Sequence, residues 1–336
     1  MAPTTPQSAD AAGLLYLSLK TTRALLDPAD VVRIAEEVLI DHDRGDIVWS
    51  SPRMLTAQGP QMRAKFRTKL CALTRLPALG FRVTSAIPGD EHIDGGPTRL
   101  VLISDPDNGE FRAIVDERWN FALRTGAGAA VALKYLHGAE TDTVGLIGAG
   151  HMARGTIFAL MAALPGLSTI YVTSRRPESR ERLAAELGPE LGIEIVPLAS
   201  SEEVLARADA VVVSTSAKTP FISESWLRPG CTIYSMGANQ ELDTASYLSV
   251  DKFVADDWGQ VQLKPDMVDL IGRGIFEESR VHADLSAIVT GRVPGRERPD
   301  ERILIRSEGL VTMDVALAHH LYRLARERGL GQRLDA

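Results

Sequence analysis

A short apolar strand, a Gly-x-Gly-x-x-Ala turn and a helical stretch follow one another between Thr143 and Ala163, and this order limits the fold more than any other feature. Gly148 permits a tight turn, Gly150 lets the backbone approach a pyrophosphate, and Ala153 lets the helix lie close to the strand. The N–H groups at the helix N-terminus can then bind phosphate charge. A glycine turn with only a structural purpose is the alternative. We predict a dinucleotide site at this turn.

The segment after this turn alternates between strand-like and helical runs, which is typical of a parallel, doubly wound α/β sheet of the Rossmann type. The predicted strands are 144–147, 169–173, 193–198, 210–214, 232–236 and 252–255. Helical runs lie at 179–187 and 202–208, and the second begins with a capping-box pattern at Ser200 and Glu203. The residues expected to contact the dinucleotide here are Gly148, Ala149, Gly150, His151, Met152, Ala153, Ser174, Arg175, Arg176, Ser214 and Thr215.

The loop after the second of these strands, Ser174-Arg175-Arg176, indicates which dinucleotide is bound. Sites that prefer NAD usually carry an Asp or Glu here, which binds the ribose hydroxyls. This loop has no acid, and its two arginines suit a 2′-phosphate through charge-assisted hydrogen bonds and guanidinium stacking. A solvated loop is the plainer interpretation of the two arginines. We expect a preference for NADP(H), with NAD(H) as the second choice.

The first third of the chain mixes helical and strand patterns, and a length of 336 residues predicts about two domains. Asp27-Pro28 begins a helical run, and strands at 98–104 and 110–115 flank residues typical of a turn. A final helix at 312–328 follows an irregular charged stretch at 290–300. We expect this helix to return and pack on the N-terminal domain.

A further helix is predicted at 116–136, and its middle, 125–130, consists mostly of Gly and Ala. Such small residues permit close approach of another backbone, although the glycines cost helix stability. Tight packing against a second helix is the plain interpretation. The functional alternative is that something large, such as a cofactor, lies against this face.

Composition excludes several classes of partner. The chain has 37 Lys and Arg against 44 Asp and Glu, and its net charge of −7 argues against a dedicated nucleic-acid-binding protein. It has no run of about 18 apolar residues that would predict a membrane span. Cys71 and Cys231 are too few for a disulfide framework and fit a reducing cytoplasm. Residues 1–13 lack the pattern of a signal peptide, and we expect a flexible tail there.

Cationic residues occupy alternate positions near the middle of the first third, namely Arg63, Lys65, Arg67 and Lys69. In a strand, a period of two places all four charges on one face. Such a face can protect an exposed edge strand, because lysines discourage edge-to-edge pairing. It can also attract and hold a substrate with several carboxylates, in which case Arg67 contacts the substrate.

Several motifs together resemble the ornithine cyclodeaminase/mu-crystallin family over nearly the whole chain. They are Arg124-Thr125-Gly126-Ala127 before the dinucleotide strand, 146–150 in the glycine turn and 307–314 before the last helix. Within that family, 253–258, 289–297 and 329–331 are most similar to the dehydrogenases of 2,3-diaminopropionate biosynthesis. Those enzymes oxidatively cleave a secondary amine that joins two amino-acid skeletons, which releases 2,3-diaminopropionate and a 2-keto acid.

The resemblance implies a domain organisation that composition does not show. A Rossmann domain at 126–307 is expected to be inserted in a split α+β domain, which comprises 14–125 and 308–336. The split domain would bind the substrate and form a homodimer.

The resemblance also implies roles for individual residues. Arg124 would bind a substrate carboxylate, Thr125 would lie near the cofactor, Arg53 would be an early basic substrate contact, and Asp314 would face the nicotinamide. A bidentate guanidinium–carboxylate contact makes this role of Arg124 physically reasonable. A helix-surface salt bridge is the alternative for Arg124, a simple loop arginine for Arg53, and a cap or brace of the last helix for Asp314.

Two positions depart from the family pattern. Many members have a lysine where this chain has Arg82, and the cyclodeaminases have an aspartate base where it has Asn239. Arginine can hold a carboxylate but does not act as a proton donor near neutral pH, and asparagine can orient a substrate but cannot accept a proton. Both changes weaken cyclodeamination as the reaction. They leave a hydride transfer at a Cα–N centre intact, because the cofactor supplies that chemistry.

The sequence leaves the general acid or base open among Asp314, Asp257, His92 and a water near the cofactor. For His92, an exposed loop histidine is the plain interpretation. No group of His, Cys and carboxylate residues has metal-ligand spacing, so no metal site is predicted.

We therefore expect a cytoplasmic, homodimeric, NADP(H)-dependent oxidoreductase that acts on the Cα–N bond of an N-substituted amino acid or its imine. Arg53, Arg82, Arg124 and Arg67 would bind carboxylates, Asn239 would orient the amine, and Asp314, Asn239 and Arg82 form the candidate catalytic group. A reductase of cyclic ketimines, an ornithine or lysine cyclodeaminase and a non-catalytic binding protein for NADPH and a small ligand are the alternatives.

Overall fold

The computed structural model describes residues 13–87, 98–138 and 140–334. Its strands are β1 (Leu14–Leu17), β2 (Ile47–Trp49), β3 (Leu55–Ala57), β4 (Lys65–Leu73), β5 (Ala78–Ala86), β6 (Thr98–Ser104), β7 (Phe111–Asp116), β8 (Thr143–Ile147), β9 (Thr169–Thr173), β10 (Glu194–Pro197), β11 (Ala210–Val213), β12 (Thr232–Ser235), β13 (Lys252–Ala255), β14 (Val281–Asp284), β15 (Ile303–Arg306) and β16 (Gln332–Leu334). Its α-helices are α1 (Leu19–Leu25), α2 (Pro28–Arg44), α3 (Arg118–Leu136), α4 (His151–Ala163), α5 (Pro177–Leu191), α6 (Ser201–Arg207), α7 (Thr244–Ser249), α8 (Trp258–Val261), α9 (Pro265–Gly272), α10 (Leu285–Val289) and α11 (Val311–Glu327).

The second sheet is the doubly wound α/β sheet that the alternating pattern predicts. Its strand order is β10-β9-β8-β11-β12-β15-β13-β14, and every neighbouring pair is parallel. The six predicted strands are confirmed, each with ends within one residue of the expectation. The predicted fold class is therefore confirmed for this part of the chain.

Two strands of this sheet were not predicted. β15 lies between β12 and β13, and β14 pairs with β13 at the end of the sheet. β15 is only four residues long and ends in a charged residue, Arg306, so its pattern does not stand out from the charged stretch before it. Arg306 is nevertheless fully buried, because Asp266 and three backbone carbonyls surround its guanidinium.

The first sheet combines strands from both ends of the chain, in the order β16-β1-β7-β6-β5-β4-β2, with β3 also paired to β4. Helix α11 packs on β4, β5 and β6. The final helix therefore returns to the N-terminal sheet, as the sequence predicts. The predicted domain boundary between residues 125 and 126 falls inside α3, which continues from the first sheet toward the second.

The small residues of α3 pack against another helix. A Cβ atom on Gly126 would lie 2.5 Å from the Thr156 Cα of α4, and one on Gly155 would lie 2.3 Å from the Ala122 carbonyl carbon of α3. The packing interpretation of this stretch is confirmed. The alternative, that a cofactor lies against it, is wrong at Gly126 because α4 already occupies that face.

Strand β4 lies inside its sheet, with β5 on one side and β2 and β3 on the other. Protection of an exposed edge therefore does not explain its cationic residues, and that interpretation is wrong. Lys65, Arg67 and Lys69 lie within β4, whereas Arg63 precedes it.

Some expectations concern residues outside the described part of the chain. These are residues 1–12 of the tail predicted at 1–13, and the loop that contains His92. Within the described part, no helix has the length and apolar character needed to cross a bilayer.

Candidate functional site

Two clefts meet at the carboxyl ends of the parallel strands. One, of about 750 Å³, follows the turns after β8, β9 and β11. The other, of about 550 Å³, lies between the two sheets. Ser214, Thr215 and Ser216 line both. In open α/β sheets, ligands bind at this edge of the sheet, so an extended molecule can reach from one cleft into the other.

The glycine turn gives the first cleft its floor. Gly148 has a φ of +116°, and its Cβ would lie 2.5 Å from the Ser214 carbonyl oxygen, so a side chain is excluded on two grounds. Gly150 is the N-cap of α4, and its Cβ position faces open space. The free N–H groups at the start of a 13-residue helix therefore face an unobstructed cleft. These residues fit the pyrophosphate of a dinucleotide.

The loop after β9 lines the same cleft through Ser174, Arg175 and Arg176. Ser174 Oγ donates to the Arg176 carbonyl at 2.8 Å, and Arg180 Nη1 donates to the Ser174 carbonyl at 2.8 Å. The described residues that line this cleft include no Asp or Glu. These two hydrogen bonds hold the shape of the loop, which carries two cations and no acid. Ser200 and Ser201 at the start of α6 also line it, as does Lys218, and sequence reasoning did not assign them to the site because they are distant in sequence from the glycine turn.

The buried side chain of Glu241 joins the loops that follow β11 and β12, at the boundary between the clefts. Glu241 Oε1 accepts from the Thr215 N–H at 2.9 Å and from its hydroxyl at 2.6 Å, and Oε2 accepts from Ser235 Oγ at 2.9 Å and the Gly237 N–H at 3.1 Å. Burial raises the pKa of Glu241 despite these bonds. Glu241 therefore fixes Thr215 and Gly237, which both line the second cleft. No local sequence pattern marks it.

Two arginine–carboxyl contacts lie at the inner wall of the second cleft. Arg124 Nε donates to Asp314 Oδ1 at 2.5 Å, and Arg82 Nε donates to Glu117 Oε2 at 2.5 Å. Arg124 is 5% exposed and Asp314 3%, so a helix-surface salt bridge is the wrong interpretation of Arg124. Because a carboxyl oxygen accepts from each arginine at Nε, the terminal guanidinium nitrogens remain for another anion. Arg82 Nη2 is buried without a hydrogen-bond partner in the described part of the chain.

Glu117 and Asp314 have opposite pKa shifts in this cluster. Burial, with the neighbouring Asp314 carboxylate, raises the pKa of Glu117 to about 8. Burial also acts to raise the pKa of Asp314, but Arg124 and Arg82 outweigh it and hold that pKa below its ordinary value. The interaction between the two carboxyl groups contributes to both shifts, and Glu117 Oε1 and Asp314 Oδ2 have no hydrogen-bond partner among the described residues. This arrangement keeps one proton beside the cleft at neutral pH.

Three guanidinium groups stack on one aromatic ring at the same wall. The Cζ atoms of Arg82, Arg99 and Arg124 lie 4.7, 3.8 and 4.6 Å from the centre of the Phe121 ring. Such stacking orients guanidinium groups without using their hydrogen-bond donors. Sequence reasoning identified Arg82 and Arg124 but missed Arg99 and Phe121, since neither belongs to a recognisable motif.

Strand β4 contributes further cations to the same cleft. Lys65, Arg67 and Lys69 of β4 line it, together with Lys264. Glu308 accepts from Lys69 at 3.4 Å and from Lys264 at 3.0 Å. Lys264 was not among the predicted residues, and its partner Glu308 lies 44 positions away in sequence.

Several predicted residues lie in the clefts as expected. The second cleft contains Arg67, Arg82, Arg124, Thr125, Met152, Ser214, Thr215 and Asp314, and the first contains Gly148, Ala149, Gly150, Ser174, Arg175, Arg176, Ser214 and Thr215.

Four other predicted residues do not line either cleft. Arg53 Nη1 donates to Asp257 Oδ1 at 2.6 Å, and Asn239 Nδ2 donates to the Ala217 carbonyl at 2.9 Å. The His151 ring bonds the Arg118 carbonyl at 2.9 Å, and Ala153 is buried in α4. The contacts predicted for these four residues with substrate or cofactor stay predictions. Asp257 is committed to Arg53 and to the Gln260 N–H.

Comparisons with known proteins agree with this geometry. The model of the ornithine cyclodeaminase/mu-crystallin family matches residues 24–329. A Δ1-pyrroline-2-carboxylate reductase of Bacillus cereus is 30% identical over 270 residues, which cover 77% of this chain and 81% of the relative. An N-((2S)-2-amino-2-carboxyethyl)-L-glutamate dehydrogenase of Staphylococcus aureus is 24% identical over 240 residues, covering 70% of each chain. A Thermococcus litoralis Δ1-pyrroline-2-carboxylate reductase, solved with NADH and L-proline, superposes with a TM-score of 0.88 at 27% identity and covers 96% of this chain and 100% of that one.

Proposed function

The chain belongs to the ornithine cyclodeaminase/mu-crystallin family and is an NAD(P)-dependent oxidoreductase acting on CH–NH bonds, and we propose that its substrate is an N-substituted amino acid with two or more carboxylates, or the corresponding imine. The observation that carries this proposal is the charge of the second cleft. Seven cationic side chains line it against the two acids Glu308 and Asp314, namely Lys65, Arg67, Lys69, Arg82, Arg99, Arg124 and Lys264. An imine with a single carboxylate does not need this excess.

The proposed roles follow from the contacts. Arg82 and Arg124 bind the carboxylate at the reacting amino-acid centre, because Glu117 and Asp314 fix their direction through Nε. The Asp314 carboxyl, which shares a proton with Glu117, accepts the proton of the substrate nitrogen in the oxidative direction and donates it in the reductive direction. When bound, the nicotinamide supplies or accepts the hydride at the substrate Cα. In the oxidative direction, water then cleaves the C=N bond and releases an amine and a 2-keto acid.

The proposed cofactor is NADP(H). Arg175 and Arg176 support this choice, since the loop after β9 carries two cations and no acid. The NADH in the Thermococcus litoralis structure supports a nicotinamide dinucleotide without deciding between the two forms for this chain.

Absorbance at 340 nm tests the proposal against its alternatives. NADPH production from N-((2S)-2-amino-2-carboxyethyl)-L-glutamate and NADP+ supports it. If the protein consumes NADPH efficiently with Δ1-pyrroline-2-carboxylate and produces none from the N-linked substrate, the result favours a reductase like the Bacillus cereus relative. Release of ammonia from ornithine without net cofactor change indicates a cyclodeaminase, and binding without turnover indicates a carrier.

A cyclic-imine reductase is the second candidate, because the Bacillus cereus and Thermococcus litoralis proteins named above are Δ1-pyrroline-2-carboxylate reductases. Cyclodeamination is disfavoured by the position of Asn239, whose amide bonds the Ala217 carbonyl and which cannot accept a proton. The cationic residues beyond Arg82 and Arg124 favour the acyclic, multi-carboxylate substrate over the cyclic imine.

The proposed assembly is a homodimer through the outer face of the first sheet. Alternate residues of β2, β3 and β4 expose apolar side chains there: Val48, Leu55, Phe66 and Leu70. Helix α11 packs on the other face, where Val315 approaches Gly80. A continuous exposed apolar sheet face fits a second copy of the chain. The two cysteines are free and buried, in keeping with the proposed cytoplasmic location.

A further inference from the structure

Three of the cations in the second cleft have no ion-pair partner in the described part of the chain. They are Lys65, Arg67 and Arg99. The others are committed, since Arg82 pairs with Glu117, Arg124 with Asp314, and Lys69 and Lys264 with Glu308. The three unpaired charges therefore lie on β4 and β6.

Strand register places Arg67 and Arg99 in one row. Arg67 of β4 is paired with Thr84 of β5, and Thr84 is paired with Arg99 of β6. Residues directly opposite in neighbouring strands project from the same face, so all three side chains point into the cleft that they line. The two guanidinium groups flank a hydroxyl across three strands.

The adjacent row contains the residues that we assign to the reacting centre. Lys69 is paired with Arg82, two positions along each strand from Arg67 and Thr84. Two residues advance a strand by about 7 Å. The row of Arg67, Thr84 and Arg99 is therefore one side-chain spacing beyond Arg82.

Packing holds Arg99 in place without consuming its donors. Its Cζ lies 3.8 Å from the centre of the Phe121 ring, and the structure gives it no hydrogen bond within the described residues. Burial and the neighbouring Arg82 lower the pKa of Arg99 to about 10, which an approaching anion would reverse. A stacked, partly desolvated and unpaired guanidinium is arranged to bind an anion that the chain does not itself provide.

We propose that Arg67, Thr84 and Arg99 form a subsite for a second substrate carboxylate, and that Arg99 determines the preference for dicarboxylates over monocarboxylates. Arg99 binds the carboxylate through its terminal nitrogens while its guanidinium stays stacked on Phe121. Thr84 donates its hydroxyl proton to the same anion, and Arg67 closes the subsite from β4. The inference rests on the proposed function only in taking the second cleft as the substrate site.

Equilibrium binding to the NADP+-saturated protein tests the subsite without requiring turnover. Two ligands that differ by one carboxylate are compared by calorimetry: L-proline and pyrrolidine-2,4-dicarboxylate. We expect the wild-type protein to bind the dicarboxylate at least about 10-fold more tightly, since a charge-assisted contact gives this order of preference. Arg99→Leu, which keeps an apolar side chain over Phe121, should remove most of that ratio and leave the L-proline affinity within about two-fold.

Arg112→Leu is the matched control, because Arg112 pairs with Asp105 outside the cleft and its loss should leave the ratio unchanged. Arg99→Lys should give an intermediate ratio, because lysine keeps the positive charge but lacks the paired N–H donors that bind a carboxylate in a bidentate way. If Arg99→Leu does not fold, Arg67→Leu is tested by the same criterion. A ratio near one in the wild type, or a wild-type ratio in Arg99→Leu, overturns the proposal. If Arg99→Leu loses the affinity ratio but the wild-type protein shows none of the proposed activity at 340 nm, the proposed reaction is disproved and the subsite stands.

Discussion

Arg124 and Asp314 lie 190 positions apart in the chain, yet Nε of the arginine is 2.5 Å from Oδ1 of the aspartate. The arginine comes from α3, which leads into the second sheet, and the aspartate from the first turn of α11, which packs on the first sheet. This ion pair therefore forms only when both ends of the chain have folded around the inserted sheet. It also directs the free edge of the Arg124 guanidinium into the cleft.

Asp314→Asn should reduce kcat by about 100-fold, because the carboxyl that moves the proton is lost and Arg124 is less firmly held. NADPH affinity should stay within about two-fold, since the nucleotide cleft is untouched. Steady-state kinetics and fluorescence titration measure the two quantities. Asp30→Asn, which removes an exposed partner of Arg33, is the control and should change neither. An unchanged kcat in Asp314→Asn would remove this residue from the proposed mechanism.

Glu117 makes stability depend on pH in a defined direction. Its folded-state pKa is raised to about 8 from an ordinary value of 4.5, so between these values the folded chain keeps a proton that the unfolded chain releases. This contribution to stability is present below the unfolded pKa and is lost as the pH rises through the folded pKa. Glu117→Gln removes the titration. The unfolding free energy of the variant relative to wild type should thus increase from pH 5 to pH 8.

Urea unfolding at pH 5, 6.5 and 8 measures that difference for Glu117→Gln. Asp105→Asn provides a control. The hydrogen bond from Arg112 lowers the pKa of Asp105, so this carboxyl group does not titrate between pH 5 and pH 8. A difference between Glu117→Gln and wild type that stays constant over the three pH values would show that Glu117 is not protonated in the folded protein.

Arg175→Ser should change cofactor preference. Loss of one cation at the 2′-phosphate position should weaken NADPH binding by about 10-fold and leave NADH binding nearly unchanged. Fluorescence titration with each dinucleotide gives the ratio. Arg207→Ser removes an exposed arginine of α6 that does not line either cleft, and its ratio should equal that of wild type. Equal weakening of both dinucleotides in Arg175→Ser would argue against a 2′-phosphate contact.

Phe66→Asp should convert a dimer to a monomer, because it places a charge in the exposed apolar face of the first sheet. Sedimentation velocity at micromolar concentration measures the state of assembly. Val268→Asp adds the same charge at an exposed apolar residue of α9, outside that face, and should leave the dimer intact. A dimeric Phe66→Asp protein would place the interface elsewhere.

The parts of the fold and site that could be predicted from sequence are those whose residues are close together in the chain. The turn at Gly148 and Gly150 was predictable because strand, turn and helix are consecutive, and the structure shows a steric reason for glycine at 148. Arg124, Thr125 and Asp314 were found through family motifs. The pairing of Arg124 with Asp314 was not, since no local pattern reports a contact across 190 positions.

The residues that sequence reasoning missed depend on tertiary structure. Arg99 becomes notable only when β4, β5 and β6 place it in a row with Thr84 and Arg67. Glu241 and Glu117 are ordinary acids in sequence, and burial alone distinguishes them. Arg53 and Asn239 were predicted from motif positions, and only the structure shows that their side chains bond Asp257 and the Ala217 carbonyl.

The most direct test of the proposed reaction follows an isotope. NADPH deuterated at C4, in each of its two stereoisomers separately, is mixed with 2,3-diaminopropionate, 2-oxoglutarate and the protein, with a protein-free control. The account predicts formation of N-(2-amino-2-carboxyethyl)-glutamate with one deuterium at the glutamyl Cα from only one of the two stereoisomers, as mass spectrometry and NMR can show. No N-linked product, or product without deuterium from either stereoisomer, would contradict it.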